Sequence, residues 1–139
     1  MNGDDGPPAT TGSASGGSST GFNTNDPDGL HMADNTPVVV KAYRTPQGKE
    51  DGVYSEVRSE DLSIPLINKM LDETGLEGED VDDLIWGCAQ QRGEQGNNMA
   101  RVISLLSDLG ESVPATTVNR WCASSAQAII SAADAIRAG

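Results

Sequence analysis

An α/β fold is predicted for residues 32–139, with elements in the order β-α-β-α-β-α and a mostly parallel, mixed sheet covered by helices. Two observations carry that reading. Short β-branched or apolar runs alternate with longer stretches in which apolar residues recur at helical spacing. Gly, Pro, Asn and Asp cluster between them, where the chain must turn.

The first strand is expected at Val38-Val39-Val40-Lys41-Ala42, a β-branched run after Pro37. Tyr43 to Arg58 is polar, contains Pro46, Gly48 and Gly52, and reads as loop. Leu62, Leu66, Ile67, Met70 and Leu71 then form a helical stripe. Ser59 is the candidate N-cap, Glu60 and Asp61 suit the positive end of the helix dipole, and Gly75 is the candidate terminator. Pro65 conflicts with this helix, because it removes an internal hydrogen bond, and a start as late as Ser63 is the alternative.

Leu84-Ile85-Trp86-Gly87-Cys88 is the second strand, and Gln90 to Asn98 a polar loop. Met99, Val102, Ile103, Leu106 and Leu109 lie on one helical stripe, with Asn97 or Asn98 as cap and Gly110 at the end. Ala115 to Asn119 is the third strand. Cys122 to Ala138 is the last helix; Asp134 and Arg137 are its only charges, so it is expected to be buried on all sides. Little sequence remains to cover its far side, and the core reads as unfinished.

Residues 1–31 differ in kind. They hold 7 of the 16 Gly and 3 of the 7 Pro, with no Lys or Arg and little apolar bulk, too little to offset the entropy of ordering them. A disordered tail is expected there. Met32 is a second candidate initiator, a genuine flexible tail being the alternative.

Of the 139 residues, 9 are Lys or Arg and 21 are Asp or Glu, a net charge of −12. This balance argues against nucleic acid or an anionic membrane as partner, since both require cationic patches. No window approaches the roughly 18 consecutive apolar residues of a membrane span, and no basic stretch followed by an apolar core opens the chain. A cytoplasmic location is expected. Residues 32–139 alone carry 17 acids and 9 bases, which suggests adaptation to high salt; an acidic surface that merely maintains solubility is the alternative. Two Cys and one His are too few for an all-protein zinc site, so no metal is expected.

Cys122 is the most informative residue. It falls at the junction of a strand and a helix, where unpaired N–H groups and the helix dipole favour a thiolate nucleophile. Arg120 adds positive charge nearby, and Ala123, Ser124 and Ser125 leave room for a substrate. A buried structural cysteine is the competing reading. Cys88 ends an apolar strand with no helix start behind it, which favours a core role. A disulfide between the two is conceivable but disfavoured in a reducing compartment. The single histidine, His31, lies at the edge of the tail, so no Cys-His pair is evident. Gly48-Lys49 lacks the upstream glycine of a phosphate loop, and Gly93 and Gly96 make no dinucleotide fingerprint. Trp86 and Trp121 read as core or subunit contacts rather than stacking platforms.

Several segments together resemble the thiolase family. They are Ala42-Tyr43-Arg44-Thr45-Pro46-Gln47-Gly48-Lys49, the run Glu79 to Gly87, Gln95-Gly96-Asn97-Asn98-Met99-Ala100-Arg101 and, most specifically, Val113 to Ile129 around Val118-Asn119-Arg120-Trp121-Cys122-Ala123-Ser124-Ser125; the closing Ala135 to Gly139 also fits. The resemblance covers nearly all of 38–139. It implies the N-terminal half of a thiolase fold and an acyltransferase that joins acyl-CoA and acetyl-CoA, or cleaves the product by thiolysis. Cys122 is then the nucleophile that accepts the acyl group, with its backbone N–H in the oxyanion hole. Coenzyme A thioesters are substrates and no cofactor is implied; the complete protein would be a dimer or tetramer.

The family's activating histidine, its second cysteine and most of its CoA-binding loops fall beyond Gly139. The chain therefore reads as an incomplete N-terminal portion of a thiolase, inactive by itself. Cys-Ala-Ser-Ser at 122–125 is also similar to ketoacyl-synthase active sites. A ketoacyl-synthase relative, or a non-catalytic truncated or split-subunit chain, is the alternative.

Overall fold

The computed structural model describes residues 35–139. The tail expected at 1–31, including His31, lies outside the described residues. Helix α1 spans Ser59–Thr74, strand β1 Leu84–Gly87, helix α2 Met99–Leu106, strand β2 Ala115–Val118 and helix α3 Ser124–Ala138. Single 3-10 turns occur at Gly78–Asp80 and Gly93–Gln95.

β1 and β2 pair in parallel, Leu84 opposite Ala115 and Gly87 opposite Val118, with α2 in the crossover between them. Successive side chains of a strand point to opposite faces, and β1 shows it. Leu84 and Trp86 pack against the core formed by Ile67 and Leu71 of α1, Met99 and Ile103 of α2, and Leu109 and Val113. Ile85 and Gly87 face α3 instead, beside Ser125, Ala128 and Ile129. The small sheet is thus held between two helical layers, the α/β arrangement read from the sequence.

Both capped helices follow from their sequences. Gly75 takes the left-handed conformation (φ 71°) and its N–H closes on the Leu71 carbonyl at 2.8 Å. α1 begins at Ser59 rather than Ser63, with Pro65 inside it. Ser59 is the first helical residue and not the cap: its hydroxyl donates to Glu94, while Arg58 holds the cap position without a side-chain bond. Pro65 and Asp61, whose carbonyl loses its donor, are both exposed, so that carbonyl is open to solvent instead of being buried unpaired, and the helix continues. Asn98 caps α2: its Oδ1 accepts from Arg101 N at 3.3 Å and from Thr117 Oγ1 at 2.8 Å, while its Nδ2 donates to the Ala115 carbonyl at 2.8 Å. The cap of one element is therefore also its tie to β2. α2 ends at Leu106, earlier than its apolar stripe, and a turn through Gly110 (φ 73°) brings Leu109 into the core.

Two expectations need correction. Val38 to Ala42 is not a strand. Val38, Val39 and Val40 are 57%, 79% and 72% exposed. β propensity needs a neighbouring ladder to act on, and the described sheet consists of β1 and β2 alone. The segment is instead clamped at its ends: Asn35 Nδ2 donates to the Arg137 carbonyl at 2.7 Å, while Lys41 and the Tyr43 hydroxyl donate to the Glu73 carboxylate on α1. Helix α3, expected to be buried all round, buries only Ser124 and Ala128; Ile129 is 66%, Ile130 51% and Ile136 47% exposed. It has a sheet face to lie on, and no described element covers its other side.

Glu73 is the most strongly perturbed acid of this unit. Hydrogen bonds from Lys69, Tyr43 and Lys41 hold its carboxyl at about 2, well below the ordinary 4.5. Among the described residues, no helix is long and apolar enough to cross a membrane.

Candidate active site

The turn from β2 into α3, Asn119 to Ala123, carries the thiol of Cys122, the candidate nucleophile. Its geometry starts at Gly87 on β1. A Cβ there would stand 2.5 Å from both the Ser124 carbonyl carbon and the Ser125 nitrogen, so only glycine lets the first turn of α3 lie directly on the strand. That close approach fixes where the helix begins.

Trp121 then takes a left-handed conformation (φ 50°), uncommon for a bulky side chain and costing about 1–2 kcal/mol. Side chains on both sides hold it there. Asn119 Oδ1 accepts the Trp121 N–H at 3.0 Å. Buried Ser124 donates its hydroxyl to the Trp121 carbonyl at 2.6 Å and accepts the Arg120 N–H at 2.9 Å. Main-chain bonds from Ala123 N to the Arg120 carbonyl (3.1 Å) and from Ser124 N to the Trp121 carbonyl (3.0 Å) complete the turn. The next residue, Cys122, emerges exposed, with a free thiol, immediately before Ala123, which caps α3.

Cys122 therefore precedes the first turn of α3 instead of belonging to it, because the left-handed Trp121 keeps the chain in a turn until Ser124. It still stands at the amino end of a 15-residue helix. The Arg120 guanidinium, expected to add positive field at the sulfur, hydrogen-bonds the Gln127 amide oxygen on α3. Trp121 is 70% exposed beside the thiol, whereas Trp86 packs on the core. Behind the turn, Ile85, Gly87, Ser125, Ala128 and Ile129 border an apolar cleft of about 230 Å³.

Cys88 is the opposite case. It is buried, free, and donates its S–H to Gln95 Oε1 at 3.3 Å, the core role its position predicts. His31 is outside the described residues, so none of them supplies an imidazole base. Among the described residues no cluster of three His, Cys, Asp or Glu is placed to hold a metal.

Sequence reasoning names Cys122 as a candidate and misses the residues that shape its turn. Asn119 directly after a strand is an Asx-turn signal, and Gly87 inside an apolar strand signals a close backbone approach. Ser124 reads from sequence only as a small neighbour, yet its hydroxyl bonds both Trp121 and Arg120.

Comparison with known proteins agrees with this architecture. The sequence pattern of the thiolase N-terminal domain matches residues 37–139. A 3-ketoacyl-CoA thiolase of Serratia proteamaculans is 49% identical over 104 residues, covering 73% of this chain and 27% of that protein. One from Pseudoalteromonas translucida is 48% identical over 107 residues, 76% of this chain and 28% of its own length. The crystal structure of Bacillus anthracis acetyl-CoA acetyltransferase superposes with a TM-score of 0.57 at 32% identity, over 62% of this chain and 22% of that one. The chain thus spans little more than a quarter of the curated relatives it matches. With a parallel β-α-β core, a cysteine at the mouth of α3 and a family match over residues 37–139, the chain belongs to the thiolase family.

Proposed function

We propose that residues 37–139 are the nucleophile-bearing part of an acyltransferase that works on coenzyme A thioesters. The Cys122 thiolate adds to the carbonyl carbon of an acyl-CoA, and the carbonyl electron pair moves onto oxygen. Collapse of that adduct breaks the bond to the CoA sulfur and expels CoA thiolate, leaving the acyl group on Cys122. Acetyl-CoA, having lost a methyl proton to a base, attacks the acyl carbon through its carbanion. The Cys122 thiolate departs and a 3-ketoacyl-CoA is formed; thiolysis is the reverse. The Cys122 N–H donates to the oxyanion of the adduct.

The observation that carries this reading is the exposed thiol of Cys122, presented by a turn whose strained residue is held on both sides. The scheme also requires a base for the thiol and another for acetyl-CoA, and the described residues supply neither beside Cys122. The 139-residue chain alone is accordingly expected not to condense acetyl-CoA.

Bromoacetyl-CoA tests the reading without those bases. Attack by the thiol forms an S–C bond and releases bromide, and peptide mass mapping locates the adduct. Labelling of Cys122 in preference to Cys88, abolished by Cys122→Ala, supports the assignment. Equal labelling of Cys88 and Cys122, or no labelling of Cys122, overturns it.

A further inference from the structure

Asn119 stands out among the residues around the turn because both ends of its amide are engaged, on two different elements. Its Oδ1 accepts from Trp121 N at 3.0 Å, within the turn, and its Nδ2 donates to the Ala89 carbonyl at 3.3 Å. Ala89 follows buried Cys88, whose N–H is paired with the Val118 carbonyl at 3.0 Å at the end of the sheet. One side chain thus connects the left-handed residue before the nucleophile to the loop that leaves β1. Ser124 also stabilises Trp121, but from within the same turn. Of the hydrogen bonds around Trp121, those through Asn119 alone reach the loop after β1.

We propose that Asn119 is a positioning residue, fixing the thiol of Cys122 at the mouth of α3 by linking the Trp121 N–H to the Ala89 carbonyl. The inference rests on the proposed nucleophile. Trp121 has an unfavourable backbone conformation that relaxes if its partners are removed. Relaxation there swings the next residue, Cys122, away from its place at the mouth of α3. Asn119 touches neither substrate nor sulfur in this scheme; it acts through Trp121.

The test is the rate at which iodoacetamide alkylates Cys122 in the full chain, read by peptide mass, with buried Cys88 as internal control and a peptide of residues 117–127 as the unpositioned reference. Wild-type Cys122 should react faster than the peptide. Asn119→Ala should bring it down to the peptide rate, losing that whole advantage. Cys88 should stay protected, which a general loss of structure would not allow. Asn119→Ser keeps an acceptor for the Trp121 N–H but does not reach Ala89, and should fall between wild type and peptide. A wild-type rate in Asn119→Ala overturns the inference. Should that variant expose Cys88, Asn119→Ser decides, and a wild-type rate there overturns it equally. Iodoacetamide carries no CoA, so failure of bromoacetyl-CoA to label wild-type Cys122 would sink the proposed reaction and leave this outcome readable.

Discussion

Gly87 and Ser124 touch backbone to backbone: a methyl group on Gly87 would lie 2.5 Å from the Ser124 carbonyl carbon. No flexible side chain intervenes to give way. Gly87→Ala should therefore push α3 off β1 and cost about 1–3 kcal/mol, the usual penalty for overpacking. Urea unfolding measures the loss. Alkylation of Cys122 should change with it, since the same close approach sets the start of α3.

Asn98 should be the most costly polar residue of the α2 region to remove. Asn98→Ala deletes the cap bond to Arg101 N and the ties to Thr117 Oγ1 and the Ala115 carbonyl. A cap alone is worth about 1 kcal/mol. A thermal melt should show more than that, because the change also detaches the crossover helix from β2. Asn98→Asp keeps the Oδ1 acceptor for Arg101 N and Thr117 Oγ1 and should lose only the tie to the Ala115 carbonyl, so its loss should be the smaller.

Ile103 is fully buried between α1 and the sheet. Ile103→Ala should destabilise the unit by about 2–5 kcal/mol, depending on how far the site collapses. Val102, one position away and 37% exposed, serves as the contrast; Val102→Ala should change the urea midpoint little.

Glu73 gives a pH dependence with a definite sign. Its folded carboxyl titrates at about 2 against 4.5 ordinarily, held down by Lys69, Tyr43 and Lys41. Between those values the unfolded chain binds the proton and the folded one does not. Stability from this network is thus complete above pH 4.5 and lost as pH falls toward 2. Carbon-detected NMR of the Glu73 carboxyl should show that low midpoint, and Glu73→Gln should remove this part of the acid dependence of unfolding.

The helices α1 and α2 are legible from their periodicity and from one end each: Gly75 and Asn98 do in the fold what those residue types do locally. The other ends are not, since Arg58 takes the cap position expected of Ser59 and α2 stops at Leu106, short of Gly110. β1 and β2 are legible as apolar or β-branched runs of strand length. Val38 to Val40 have the same character and form no strand, since pairing is a property of two segments and local sequence describes one. The same limit explains α3, whose apolar circumference predicts burial without naming what would bury it. At the candidate site, strand-helix placement and family resemblance single out Cys122. The left-handed Trp121 has no local signal, because a bulky aromatic takes that conformation only where its neighbours impose it.

Asn35 and Tyr43 hold the valine segment at both ends, to Arg137 and Glu73 respectively. The stretch between them therefore behaves as a short closed loop and not as a free arm: its ends are fixed, and the number of paths open to its backbone is small. Its three valines already face water. Cutting either clamp would return that restriction to the chain as conformational freedom, while the apolar surface it shows to solvent would stay nearly the same.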